Sequence, residues 1–223
     1  MDAEFLQLAG NGPRRDGGAQ SGKTIYLIRH AESVNNVSKR TCKACCPALF
    51  CGCKFPSCAD LLSVAGMLTC PMNTPLSEEG RAQVSRQRQK VIECCGFDSS
   101  AHAQPQLLVH SPLMRARDTC EGLFGGRSAD LNTVQHLEIY ERDRCETCSC
   151  KDIASRIAHF ETWLLARTES RIVVVGHSRF FREMLGIDGG MANVSVWRTT
   201  LHANRTWTDV TMVEAGCGGA DTA

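Results

Sequence analysis

No stretch of this 223-residue chain sustains the about 20 apolar residues that a membrane helix needs. Neither sign of charge is in excess, with 25 Lys and Arg against 24 Asp and Glu. That balance excludes the strong basic field of a nucleic-acid binder and makes any anion site a local one. Missing too, from Met1 to Gln20, is the basic segment followed by an apolar core that marks a secretory signal. The expectation is a soluble, cytoplasmic protein with neither a membrane nor a nucleic acid as partner. A disulfide framework is not required either, because a chain of this length buries roughly 70% of its unfolded surface in one core.

What the chain does have in excess is cysteine, fourteen in all. Nine of them cluster, as Cys42, Cys45, Cys46, Cys51, Cys53 and Cys58, then Cys145, Cys148 and Cys150. Without a secretory signal, reduced thiols or metal ligands are expected rather than structural disulfides. Residues 1–22 are rich in Gly, Gln, Asn and Arg and read as a disordered arm. The sequence Gly17-Gly18-Ala19-Gln20-Ser21-Gly22-Lys23-Thr24 satisfies the P-loop pattern, which needs a strand before it and a helix after it. Here an arm precedes and a strand follows, so nucleotide binding is rejected.

The apolar runs Thr24 to Ile28 and Arg171 to Val175 read as buried strands. Each delivers a histidine to its C-terminal end, in Arg29-His30-Ala31-Glu32-Ser33 and in Gly176-His177-Ser178. Between them, residues 37–58 read as a Cys-rich insertion and Ala59 to Leu68 as a short helix. Ser77 caps a helix from Glu78 to about Cys95. Gln106 to His110 is a strand, followed by a helix with Ser111 as cap and Pro112 at its first position. Asn132 to Ile139 reads as another strand. Asp152 to Thr168 carries Ile153, Ile157, Phe160, Trp163 and Leu164 at helical spacing, a core stripe. A helix from about Arg179 to Gly186 comes next, then a hairpin of Val194 to Leu201 and Thr206 to Val213. The sum is an α/β domain over 23–214, a three-layer α/β/α sandwich around a mainly parallel sheet with a terminal antiparallel hairpin. Residues 215–223 read as a frayed end.

With Ser111-Pro112-Leu113-Met114-Arg115-Ala116 as a third motif, the chain resembles the histidine phosphatase superfamily, the phosphoglycerate-mutase-like fold. The resemblance spans residues 24 to about 213, with three motifs in order. It implies that His30 attacks a phosphoryl group and becomes phosphohistidine. Arg29 and Arg115 then hold phosphate oxygens by paired hydrogen bonds, and His177, if protonated, adds a donor. Asn36 matches the family asparagine that contacts phosphate, and Ser178 follows the second histidine as a further substrate-binding candidate. Ala31 stands where the family commonly has glycine.

The family takes the leaving-group proton from a carboxylic acid after the third strand. Glu141, in Ile139-Tyr140-Glu141-Arg142, and Glu138, in Leu137-Glu138-Ile139, compete for that role; Glu141, nearer the strand tip, is favoured. Gly176-His177-Ser178-Arg179 lacks the His-Gly-Asn-Ser of the mutases, which favours a phosphatase acting on a phosphorylated small molecule or phosphopeptide. No cofactor is required for that chemistry. Cys42 and Cys45 with Cys145 and Cys148 could hold one structural zinc, and loop cysteines without a ligand role are the alternative. Two other readings stay open: an idle, zinc-stabilised module that binds a phosphorylated partner, and a mutase-type phosphotransferase.

Overall fold

A computed structural model describes residues 22–37, 73–100, 104–126, 131–141, 152–214 and 216. The Cys-rich segments, with Cys42, Cys45, Cys145 and Cys148, the N-terminal arm and the helix expected over Ala59 to Leu68 lie outside the described residues.

The described elements are, in order, strand β1 (Lys23–Arg29), helix α1 (Glu78–Cys94), β2 (Leu107–His110), α2 (Met114–Phe124) and β3 (Asn132–Gln135). A single 3₁₀ turn (Leu137–Ile139) leads toward α3 (Ile153–Ala166), β4 (Arg171–Gly176), α4 (Ser178–Leu185), β5 (Val196–Leu201) and β6 (Trp207–Glu214). The strands form one sheet in the order β3-β2-β4-β1-β5-β6. The first four are mutually parallel, and β5 and β6 add an antiparallel pair beside β1. This is the fold class the sequence implies.

Alternation along the central strands divides the core into two layers. Tyr26, Ile28, Val173 and Val175 face α1 and α2, whose Val84, Val91, Leu123 and Phe124 meet them. Ile25, Leu27, Ile172 and Val174 face α3 and α4, packing on Phe160, Leu164, Phe180 and Phe181. Burying each such side chain stabilises the domain by about 1.5–3 kcal/mol. The strands at the centre are apolar on both faces for that reason.

Local chemistry sets the helix ends. Ser77 caps α1 as expected, its Oγ accepting from the Gly80 N–H at 3.0 Å. Gly186, in the left-handed region with φ 63°, stops α4. Two boundaries differ from the expectation. Helix α2 starts at Met114 with Leu113 in the cap position and no side-chain cap; the Ser111 hydroxyl instead lies 2.8 Å from His177 Nε2 and accepts the Leu113 N–H at 3.4 Å, ahead of the helix. Strand β3 stops at Gln135 rather than Ile139, because its one partner strand, β2, ends opposite it at His110. His136 then accepts the Glu138 N–H and turns the chain into the 3₁₀ turn. Lys23, the lysine of the P-loop pattern, sits inside β1 and donates to the carbonyls of Arg167 and Glu169. That placement is incompatible with a phosphate-cradling loop.

Candidate active site

Strands β1 and β4 are parallel neighbours with Arg29 opposite Gly176, so the next residues, His30 and His177, emerge side by side. The His30 N–H donates to the Gly176 carbonyl at 2.9 Å, which extends the ladder one step into the site. The imidazoles meet edge to face with ring centroids 5.0 Å apart. Both rings are buried.

The His30 proton can be located from its partner. Nδ1 lies 2.6 Å from the Ala31 carbonyl oxygen, and a carbonyl only accepts, so Nδ1 carries the hydrogen and Nε2 the lone pair. His177 is held by its other nitrogen, with Nε2 2.8 Å from Ser111 Oγ. Its Nδ1 lies 3.5 Å from Glu141 Oε2 and makes no hydrogen bond among the described residues.

Burial, more than the neighbouring cations, keeps both rings neutral. For His30, desolvation leads, followed by His177, Arg115 and Arg29, and together they hold the ring well below the ordinary 6.5 against a smaller opposing pull from Glu141. His177 is pushed the same way by burial, then by Arg115, Arg29 and Arg156. Without a bound anion, burial and these cations therefore favour the neutral form of His177.

Arg115 is the second residue of α2 and is buried. Its Nη2 donates to Glu141 Oε2 at 3.0 Å. Glu141, just past the 3₁₀ turn, therefore faces Arg115 and His177 together. Glu138 does not share that place; its carboxylate is 3.7 Å from His159 on α3. It lies in the 3₁₀ turn and not in a strand. Arg29 is buried, and its Nη1 donates to the Met191 carbonyl. Ser178 Oγ accepts the Met191 N–H at 3.2 Å, so Ser178 and Arg29 hold the two peptide groups that flank the Met191 Cα. Asn36 Oδ1 accepts from both the N–H and the hydroxyl of Ser33, fixing the turn after β1.

Several residues given no role in the site by the motifs brace this cluster. Thr119 Oγ1 donates to the Arg115 carbonyl at 2.6 Å and accepts the Ala31 N–H at 3.0 Å, which ties α2 to the His30 loop. Asn193 Nδ2 donates to the His30 carbonyl at 2.8 Å. Its neighbour Val194 donates to the Arg29 carbonyl with φ 59°, a left-handed conformation costly for a β-branched residue. Glu32 receives Ser77 Oγ on its carboxylate and donates its N–H to Gln83. The spacing from Arg115 to Thr119, one helical turn, is the only one of these links that a sequence pattern could have suggested.

His30, Glu141 and His177 offer ligand atoms within 4.8 Å of one another, a donor set of the zinc type. A dication there would sit beside Arg115 and Arg29, whereas an anion is attracted by both, so electrostatics favour the anion. Among the described cysteines, Cys95 and Cys120 are buried core thiols, with burial pushing Cys120 up to about 12 and Cys95 well above the ordinary value. A cavity of about 130 Å³ opens beside Glu141, walled by Tyr140, Ile153, Arg156, Arg179 and Phe180.

Solved structures share this architecture. The chain is similar to Mycobacterial hydrolase 1, at 17% identity over 88% of this chain and 100% of that one, with a TM-score of 0.56. It is similar also to a mycobacterial glucosyl-3-phosphoglycerate phosphatase solved with inorganic phosphate, at 16% identity over 87% of this chain and 98% of that one, with a TM-score of 0.54. The chain has the phosphoglycerate-mutase-like α/β fold. In sequence, this fold's carrier is 29% identical over 118 residues to the Arabidopsis thaliana phosphoglycerate mutase-like protein 1, a match over 52% of this chain. The match spans 33% of that relative's length. No family model matches the chain. Among the described residues, no helix is long and apolar enough to cross a membrane.

Proposed function

We propose that the chain is a phosphomonoester phosphatase that works through a phosphohistidine on His30. The observation that carries this reading is the His30 tautomer: Nδ1 is committed to the Ala31 carbonyl, leaving Nε2 as a lone pair on a ring kept neutral by burial. A neutral imidazole nitrogen in that state is a competent nucleophile at physiological pH.

In the first step Nε2 bonds to phosphorus as the bond to the leaving oxygen breaks. Charge spreads over the equatorial oxygens, where Arg115 supplies a planar pair of donors and His177 one N–H at Nδ1, with Ser111 donating to Nε2. Glu141 gives the leaving oxygen its proton. A dianionic phosphoryl group draws the Arg115 fork from the carboxylate, and its charge raises the proton affinity of Glu141, which favours the acid form when it is needed. Water then attacks the phosphohistidine, Glu141 takes back a proton, and inorganic phosphate and neutral His30 are restored. The mycobacterial neighbour solved with inorganic phosphate supports an anion of this class in the fold.

Turnover of p-nitrophenyl phosphate, with alkali-quenched protein carrying base-stable, acid-labile phosphate on His30, tests the reading. Phosphate release without a phosphoenzyme, or label retained in His30→Ala, would refute it.

A further inference from the structure

Arg156, on α3, belongs to none of the three motifs, yet its side chain links two parts of the site. It is 3% exposed. Its Nε donates to the Glu138 carbonyl at 3.1 Å and its Nη2 to the Tyr140 carbonyl at 2.6 Å. The guanidinium carbon stands 4.3 Å from the centroid of the Tyr140 ring and 5.4 Å from that of Phe180. A three-residue 3₁₀ turn is too short to use its own last carbonyls, and Arg156 supplies a donor to one of them, that of Glu138, and another to the carbonyl of Tyr140, the residue that ends the turn. Glu141 is the residue that follows this clamped segment. Phe180 is three residues past His177 in α4. One buried fork therefore holds the backbone leading to Glu141 and packs on the helix that His177 caps.

We infer that Arg156 is a positioning residue that aims the Glu141 carboxylate at the leaving oxygen. The inference rests on the reading of Glu141 as the proton donor. It does not require Arg156 to touch substrate. Arginine is specified over lysine because two carbonyls and two rings are met by one plane, and an ammonium is a single point of donation. Arg156 also helps keep His177 neutral through its charge, an effect that Arg156→Lys preserves, so the lysine variant isolates the geometric role.

The experiment compares wild type, Arg156→Lys and Arg156→Gln on a series of phosphomonoesters from p-nitrophenyl to simple alkyl leaving groups, alongside amide hydrogen exchange. An acid displaced by about an ångström costs roughly 100-fold, so kcat/KM on the alkyl ester should fall by that order in Arg156→Lys. On p-nitrophenyl phosphate, which departs without a proton, the loss should stay within about threefold. In a Glu141→Gln background the same substitution should add nothing further. The amides of 138–141 should exchange faster while those of β1 and β4 are unchanged. Equal losses across the series would overturn the inference, as would unchanged exchange at 138–141 in both variants. The exchange arm needs no turnover. A wild-type protein that hydrolyses no phosphomonoester therefore refutes the phosphatase reading separately.

Discussion

His30 and His177 meet edge to face, their centroids 5.0 Å apart at an interplanar angle of 62°, because their strands are parallel, adjacent and in register. In-register pairing of Arg29 with Gly176 puts the two rings at equal height above the sheet. An antiparallel neighbour would have sent one of them to the opposite end. The carboxyl ends of adjacent parallel strands are where such folds assemble ligand sites, and the pair is one instance of that rule.

Arg115 should be the most costly cation to remove. It is buried, and its guanidinium is aimed at the carboxylate that shares the site. Loss of one preorganised charged donor of this kind costs about 100-fold or more in rate. Steady-state kinetics of Arg115→Ala on an aryl phosphate should show that loss with an unchanged fold by circular dichroism; a near-normal rate would remove Arg115 from the phosphate clamp.

The two carboxylates predict different behaviour. Glu141→Gln should slow poor leaving groups far more than p-nitrophenyl phosphate, by about 100-fold or more if it is the general acid. Glu138→Gln, whose side chain faces His159, should leave the leaving-group dependence as it is. Plotting log kcat/KM against leaving-group pKa for both variants separates them, and a steepened slope in Glu138→Gln alone would exchange their roles.

Much of this site was legible in the chain, and the reasons are physical. A strand buried on both faces leaves an uninterrupted β-branched run, so β1 and β4 announce themselves, and the polar residues that end each run mark its tip. Ser111-Pro112 is a good cap pair, yet α2 starts only at Met114, and the serine hydroxyl is shared between the Leu113 N–H and His177 across the sheet, a tertiary contact with no local trace. The length of β3 depended on where β2 ends, again a property of the partner. Arg156 and Asn193 were missed for a third reason: each acts on backbone carbonyls, those of Glu138 and Tyr140 and that of His30, and a carbonyl looks the same in every sequence.

Stability should fall with acid in a way traceable to the two rings. In the unfolded chain each histidine takes up a proton near pH 6.5, whereas in the fold both are held well below that value by burial and cations. As pH drops through 6.5 the unfolded state binds protons that the folded state does not, so stability declines until the folded-state pKa is reached. Above about pH 7.5 the contribution is flat. Each histidine adds up to about 1.4 kcal/mol per pH unit to the slope. His136, half-buried and shifted the same way, adds a smaller share. Urea unfolding from pH 7.5 to 5.5 should therefore show a shallower slope in His30→Asn than in wild type, and identical slopes would mean that His30 titrates normally in the fold.

Gly80 should not tolerate alanine, although it lies in a helix. In an ordinary helical site Gly→Ala stabilises by about 1 kcal/mol. Here α1 crosses the loop after His30 so closely that an added Cβ would stand 1.9 Å from the Glu32 carbonyl oxygen. That obstacle is backbone, and it is fixed from several sides: the same carbonyl accepts from the Ser77 N–H, and the Glu32 N–H is held by Gln83. Relief requires either α1 to lift off its layer or the loop to move. Overpacking of this sort costs about 1–3 kcal/mol or more, enough to reverse the propensity gain. If the loop moves, Ala31 shifts from Thr119 and the His30 ring shifts with it, so kcat/KM should fall together with the urea midpoint. A Gly80→Ala protein as stable and as active as wild type would mean that α1 does not brace the loop after His30.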